Sequence, residues 1–206
     1  MIKTKIEYRK LDLSNYKEAI SLQKSIFPLE EGTFNILQSI DFNLFKEITN
    51  IDYDLKFLEY YLMYVNDKIV GISGLYQISN FNNELWLGWF GIDKKYRNNG
   101  YGERLLKYTI DKAKGMNVAV LRLYTDYNDN FNAVKLYEKI GFTGEKYTNE
   151  PLDYDCRIYS LPLNEKKLEL WNNRYAGVKG YDEFENSLNK EKVLKQYDMY
   201  LKSISN

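Results

Sequence analysis

The sequence predicts an α/β protein built on a mixed, mostly antiparallel central sheet flanked by helices. Three observations carry this. Strand-like and helix-like periods run in the order strand, helices, three strands, helix, strand, helix, two strands, which is not the strict alternation of a doubly wound sheet. Asn66-Asp67 separates two long apolar runs, Leu55 to Val65 and Lys68 to Ile78, at the two-residue spacing of a hairpin. The stretch from Leu85 to Leu106, LWLGWFGIDKKYRNNGYGERLL, joins an apolar aromatic run to a glycine-bearing turn and the opening of a helix.

Each element has its own warrant. Lys3 to Leu11 alternates as a strand does, with Ile6 and Tyr8 on one face. Ser14 stands where a cap is needed for a helix running to about Ile26, whose apolar stripe is Ala19, Ile20, Leu22 and Ile26, and Pro28 ends it. Phe34 to Ile40 has the length of a second short helix, while residues 41–54 fit neither period. Asn80 to Asn83 is a turn that delivers the chain into the central strand. From Glu103 to Lys114, Leu105, Leu106, Tyr108, Thr109, Ile110 and Ala113 recur at helical spacing. Val118 to Tyr124 is a buried strand and Asn130 to Ile140 a helix ended by Gly141. Phe142 to Tyr147 and Asp153 to Leu161 complete the sheet.

After Pro162 two further helices are predicted, Asn164 to Trp171 and Tyr181 to Ile204, with Gly177 and Gly180 marking the break. The second carries a stripe of Leu188, Val193, Leu194, Tyr197, Tyr200 and Leu201. The expected organisation is one domain over 1–161 and a C-terminal helical extension over 162–206. The extension packs on that domain or at a subunit interface, as in a homodimer.

Composition excludes several function classes. At 206 residues the chain suffices for one core. Lys plus Arg equals Asp plus Glu at 29 each, so bulk charge offers nothing to a nucleic-acid partner. Cys156 is the single cysteine, which excludes an intrachain disulfide and a cysteine-rich metal site. The absence of histidine excludes Ser-His-Asp and Cys-His mechanisms and imidazole-ligated metal, so no metal is expected. MIKTKIEYRKLDL has no continuous apolar stretch, so neither a signal peptide nor a membrane anchor is expected, and the expected location is cytoplasmic.

The central stretch points to chemistry. A strand feeding a glycine loop that opens a helix presents free N–H groups and the positive end of the helix dipole, for which phosphate or pyrophosphate is the natural ligand. It is not a P-loop, because Gly102 is followed by Glu103 and Arg104, and it is not a dinucleotide fingerprint, because Leu105 stands where the third glycine or alanine belongs. Arg97, Gly100 and Gly102 instead fit the pattern Arg or Gln, two residues, Gly, one residue, Gly or Ala. Asn130, Ala133, Leu136, Tyr137, Glu138, Lys139, Gly141 and Phe142 form a second run, Asn-x-x-Ala-x-x-Leu-Tyr-Glu-Lys-x-Gly-Phe.

Together these motifs resemble those of the GNAT superfamily of acetyl-CoA-dependent N-acetyltransferases, most strongly from Glu84 to Phe142. The resemblance implies a sheet whose fourth and fifth strands splay apart to admit the pantetheine arm of acetyl-CoA, the expected cosubstrate. It implies main-chain contacts from Phe90, Gly91 and Ile92, a pyrophosphate loop of Arg97, Asn98, Asn99, Gly100, Tyr101 and Gly102, and closure of the site by Asn130, Ala133 and Tyr137. Tyr137 takes the position of the tyrosine that faces the CoA sulfur, an acid for the departing thiolate. Lys94 departs from the proline that the family often carries after the strand.

Acetyl transfer to an amine needs the free base, and deprotonating an ammonium of pKa about 10.4 at neutral pH costs about 4 to 5 kcal/mol. A general base is therefore useful. Trp86 to Ile92 and Val120 to Thr125 hold no carboxylate, leaving Glu84 and Asp126 at the strand ends as the nearest candidates, each also readable as a solvated end residue. Glu30 and Glu31 lie where the family places substrate contacts. A backbone N–H near Ile92 would polarise the thioester. The expected function is direct acetyl transfer in a ternary complex to the primary amine of a small molecule or peptide. The alternative is a non-catalytic acyl-CoA-binding sensor, motivated by the missing strand carboxylate.

Overall fold

The computed structural model describes residues 4–30, 32–49, 54–149, 155–174 and 190–204. Along the chain run β1 (Ile6–Lys10), α1 (Tyr16–Ile26), α2 (Thr33–Ile40), α3 (Phe42–Thr49), β2 (Leu55–Val65), β3 (Lys68–Ile78) and β4 (Glu84–Ile92). They are followed by α4 (Tyr101–Lys114), β5 (Val120–Asp126), α5 (Phe131–Ile140), β6 (Thr143–Lys146), β7 (Cys156–Pro162) and α6 (Lys190–Ile204). The strands form one sheet in the order β1-β2-β3-β4-β5-β7-β6, antiparallel throughout except for β4 and β5, as the sequence predicts.

The hairpin of β2 and β3 turns where the sequence places it. Asn66 and Asp67 both have positive φ, 48° and 62°, which a two-residue turn matching the strand twist requires and which short polar side chains tolerate. The cap of α1 falls one residue later than expected. Asn15 occupies it, while the Ser14 hydroxyl donates to Asp12. The Asn15 side chain is itself drawn back, accepting from the Asp12 N–H and donating to the Lys10 carbonyl, so it does not bond the helix. Residues 41–49, ambiguous by period, contain α3, whose start is fixed by the Asp41 carboxylate accepting the Leu44 N–H at 3.0 Å.

The sheet is covered on both faces. Leu85, Leu87, Leu121 and Leu123 pack against Leu106 and Ile110 of α4 and Val134 and Tyr137 of α5. On the other face, Leu58, Tyr60, Leu62 and Ile72 pack against Ala19 and Leu22 of α1 and Ile36 of α2. Each face is the alternate set of strand positions.

Residues 164–171 are not the predicted helix. Asn164 and Glu165 take φ of 52° and 59°, which breaks a right-handed helix at its first residues. The segment is a strap across the end of the sheet: Leu163 N–H donates to the Ala119 carbonyl, and Trp171 is buried edge-on to Trp86 at 5.0 Å and to Phe81 at 5.2 Å. Gly177, Gly180 and residues 181–189 of the second predicted helix lie outside the described residues, as do the side chains of Leu188, Val193, Leu194 and Leu201. In α6, Tyr197 is buried among Phe34, Leu37 and Phe45 of the same chain, and its hydroxyl donates to the Leu37 carbonyl at 2.8 Å. No described helix is long and apolar enough to cross a membrane.

Tyr197→Phe leaves a buried carbonyl without this partner while preserving the ring packing. It is expected to lower unfolding stability by about 1 kcal/mol, read as a shift in urea midpoint at unchanged slope.

Candidate active site

β4 and β5 pair in parallel over three positions, Glu84 with Val120, Leu85 with Leu121 and Trp86 with Arg122. Beyond Trp86 the strands part: β4 stays on β3 to Ile92, whereas β5 stays on β7 to Asp126. The splayed pair expected from the resemblance is thus a fork whose closed end is at Trp86.

Within the fork β4 carries a bulge. Between the pairs Gly74–Gly88 and Ile72–Gly91, Ser73 alone opposes Trp89 and Phe90, and Trp89 has φ of 21°. Its indole N–H donates to the Asn35 side-chain oxygen at 3.0 Å and its ring lies 5.0 Å from Phe27, so α2 and the end of α1 hold it. Past the bulge, the Asp93 N–H donates to the Val70 carbonyl on β3. By strand alternation the main-chain groups of Ile92 then face away from β3, into the fork, and those of Gly91 face β3. Gly91 therefore does not offer the fork the main-chain contact the sequence assigned it. Its role is spacing, since a Cβ there would lie 2.6 Å from Ile26 Cγ2. The Phe90 ring stands 5.9 Å from that of Tyr137 across the gap.

The turn after β4 is braced from within. The Ile92 carbonyl accepts from Arg97 Nε at 3.0 Å, and the Asn99 amide donates to the carbonyls of Tyr96 and Arg97. Asn98 and Gly100 have φ of 64° and 74°. Gly100 caps α4 without a side-chain bond, and the first intrahelical bond runs from the Arg104 N–H to the Gly100 carbonyl. The N–H groups of Tyr101, Gly102 and Glu103 have no carbonyl of a preceding helical turn to bond. A Cβ on Gly100 would meet nothing within 4 Å, whereas one on Gly102 would touch Leu136 and Ile92 at ordinary distances. Glu103 is drawn aside by Lys107 at 2.8 Å and Lys139 at 2.5 Å, which hold its carboxyl down at about 2 and tie α4 to α5. The result is an open cradle of backbone donors at a helix start, with its neighbouring acid already neutralised.

The fork opens into a cleft of about 580 Å³. Phe27 and Glu30 form one wall, Leu87, Trp89 and Phe90 the β4 side, Leu123 to Asp126 the β5 side, and Asp129, Asn130, Ala133 and Tyr137 the roof, with Cys156 beside Tyr124. Glu30, Asp126 and Asp129 line it, and no lysine or arginine does among the described residues. Asp126 accepts the Asp129 N–H at 2.7 Å, which fixes the turn that presents both carboxylates. Sequence reasoning missed Asp129. Its signal was the acid-x-x-acid spacing directly after a strand and before the Asn130 helix start.

Tyr137 is buried among Phe90, Phe142 and Tyr159, with centroids 5.8–6.1 Å away, and burial pushes its hydroxyl above the ordinary value of 10.0. The sequence-derived candidates are therefore only partly brought together. Tyr137, Asn130, Ala133, Phe90, Asp126 and Glu30 line one cleft. Glu31 lies outside the described residues. Glu84 is elsewhere: it is buried at the closed end of the fork, where Oε1 accepts from Arg122 at 2.9 Å and Arg174 at 2.7 Å. Its side chain does not line the cleft, and as a carboxylate committed to two guanidiniums it is no longer a candidate base.

Comparison with known proteins agrees with this geometry. The acetyltransferase (GNAT) family model matches residues 24–142, and the chain belongs to that family. It is 32% identical over 111 residues to N-alpha-acetyltransferase 30 of Dictyostelium discoideum, covering 52% of this chain and 60% of that one. It is 33% identical over 98 residues to a spermine N(1)-acetyltransferase assignment in Bacillus subtilis subsp. natto, covering 43% and 64%. The matches thus span under two thirds of these relatives. Among solved structures, the ribosomal-protein-S18-alanine N-acetyltransferase of Escherichia coli superposes with TM-score 0.57 at 19% identity, covering 84% of this chain and 100% of that one. The yncA structure of Salmonella typhimurium with its cofactor acetyl-CoA superposes with TM-score 0.59 at 13% identity, covering 79% and 96%. At these identities the superpositions establish the fold.

The residues present fit acetyl-CoA. The Gly100 cradle suits a pyrophosphate, and the inner edge of β4, which has no strand partner past Trp86 among the described residues, suits an extended amide-bearing arm. Gly100→Ala is expected to cost about 1 kcal/mol of stability through its positive φ and to weaken CoA binding measured by calorimetry. Gly102→Ala, which meets neither strain nor clash, should stay within about 0.5 kcal/mol of the parent.

Proposed function

We propose that this chain transfers the acetyl group of acetyl-CoA to the primary amine of a cationic acceptor, by direct attack in a ternary complex, in the cytoplasm. The observation that carries this reading is the convergence in one cleft of the inner edge of β4, a buried tyrosine and three carboxylates, with no basic residue among the described lining. An uncompensated acidic lining attracts an ammonium and disfavours an anionic acceptor. Relatives and neighbours are named for N-acetylation of spermine and of the alanine of ribosomal protein S18, and the acidic lining favours the small, multiply charged amine over a peptide.

Bound acetyl-CoA supplies an activated acyl group. The Ile92 N–H, facing the fork, is the donor available for an acyl oxygen. Asp126 and Asp129 hold the acceptor ammonium and take its proton, directly or through water, which offsets the cost of forming the free amine at neutral pH. Glu30 on the opposite wall holds a second positive charge. Tyr137 keeps its proton on Oη because burial disfavours the phenolate, so it is competent to protonate a departing thiolate.

The test is thiol release from acetyl-CoA across polyamines, monoamines and peptide N-termini. The reading expects the highest kcat/KM with polyamines. CoA binding without thiol release for any amine would leave the acyl-CoA sensor in its place. Tyr137→Phe keeps the ring and should lower kcat by about 10² to 10⁴ with little change in CoA affinity. Since the Tyr137 hydroxyl stays protonated past its ordinary value of 10.0, kcat should rise with pH as the acceptor deprotonates and show no falling limb below pH 10. A limb falling between pH 8 and 9.5 would assign the acid to another group.

A further inference from the structure

At the closed end of the fork lies a charge cluster that the chemistry above does not use. Arg122 on β5 is fully buried, and its guanidinium donates to Glu84 on β4, to the Ser160 hydroxyl on β7 and to the Glu169 carbonyl of the strap. Arg174, at the far end of the strap, donates to the same Glu84 oxygen. Both guanidiniums lie near the Trp171 ring, that of Arg122 at 5.2 Å and that of Arg174 at 3.8 Å from its centroid, and the ring is edge-on to Trp86. Glu145 on β6 anchors the strap by accepting the Trp171 and Asn172 N–H groups.

This arrangement has a direction. Trp86–Arg122 is the last pair of the parallel ladder, and the cleft-lining residues Leu87 and Leu123 come directly after it. One carboxylate on β4 is gripped by a guanidinium from β5 and another from the strap, so the side chains bolt the two strands together at the point of divergence. Among the described residues Glu84 Oε2 is buried without a hydrogen-bond partner and two cations share one anion, so the cluster is held by geometry and by the indole that both cations approach. The walls that part here carry different halves of the proposed chemistry: Ile92 on β4, and Asp126 at the end of β5 with Asp129 in the turn after it.

We propose that Arg174 and Trp171 of the C-terminal strap, acting through Glu84 and Arg122, are positioning residues that set the opening between β4 and β5. The strap, which lies beyond the region matched by the family model, thereby becomes part of the machinery that aligns the cleft walls. The functional half of this inference rests on the acetyltransferase reading; the structural half does not.

The experiment uses the full chain with Arg174→Met and Arg174→Lys. Arg174 is partly exposed, so its replacement spares the fully buried Arg122, whose loss could prevent folding. Amide hydrogen exchange is followed at the β4–β5 ladder, residues 84–86 and 120–122, with the β2–β3 hairpin as internal reference. Arg174→Met should lose protection in the ladder at least about tenfold relative to the hairpin, and Arg174→Lys, which can keep the single bond to Glu84, should restore most of it. With an amine acceptor, well below the unfolding temperature, Arg174→Met should lower kcat about 10- to 100-fold, the scale of a misplacement of about 1 Å, with CoA affinity within about threefold because the Gly100 cradle is distant from the cluster. Ladder protection and kcat both equal to the parent, or a loss of protection shared equally by the hairpin, would overturn the proposal. If the parent acetylates no amine, the activity reading fails and the exchange comparison alone decides the role of the strap.

Discussion

The brevity of the β4–β5 ladder is the constraint on which the rest of this molecule depends. Three parallel pairs hold two halves of a seven-stranded sheet together, one half closed by α1, α2 and α4 and the other by α5 and the strap. Because pairing stops at Trp86, the inner edge of β4 keeps main-chain groups that a continuous sheet would have used. Burying such groups without partners is costly, so the opening must face solvent or a ligand able to bond them. The cleft is the geometric consequence of ending the ladder early.

Holding a fork open at one end and shut at the other requires a strong fixed point. Glu84 and Arg122 supply it, and removing one member of such a buried pair typically costs about 3 to 5 kcal/mol because the other is left as an unpaired charge. Above this point the bulge at Trp89–Phe90 re-aims the strand, and the indole bond to Asn35 ties the bulge to α2. Since α2 is covered in turn by Tyr197 of α6, both ends of the C-terminal region bear on the cleft from outside it: the strap on the closed end and the terminal helix on the wall behind Trp89.

Two groups of residues around the fork set opposite local fields. At the Gly100 end, backbone donors face outward and Glu103 is neutralised by two lysines, so the local field suits an anion. In the cleft, Glu30, Asp126 and Asp129 stand without a basic neighbour among the described lining residues, so the field suits a cation. Burial of Tyr137, which lines the same cleft, raises its hydroxyl above the ordinary value and keeps it protonated.

The sequence by itself determined what local chemistry controls. Asn66-Asp67 set the hairpin because few residue pairs accept two positive φ values. Gly100 and Gly141, at φ of 74° and 109°, marked a helix start and a helix end, and the two motifs that bracket the cofactor cradle are contiguous runs. Tertiary structure decided what depends on distant partners. Glu84, the closest carboxylate to the fourth strand in sequence, became an anchor because Arg122 and Arg174, 38 and 90 residues away, converge on it. Asp129 became a cleft residue because Asp126 folds the turn back over the opening. Gly91 became a spacer because α1 lies against it, and the stretch before Trp171 became a strap because the ring finds its burial against Trp86, which no helical period records. A side chain's role follows from the field and the packing around it, and those are supplied by residues that only the fold brings near.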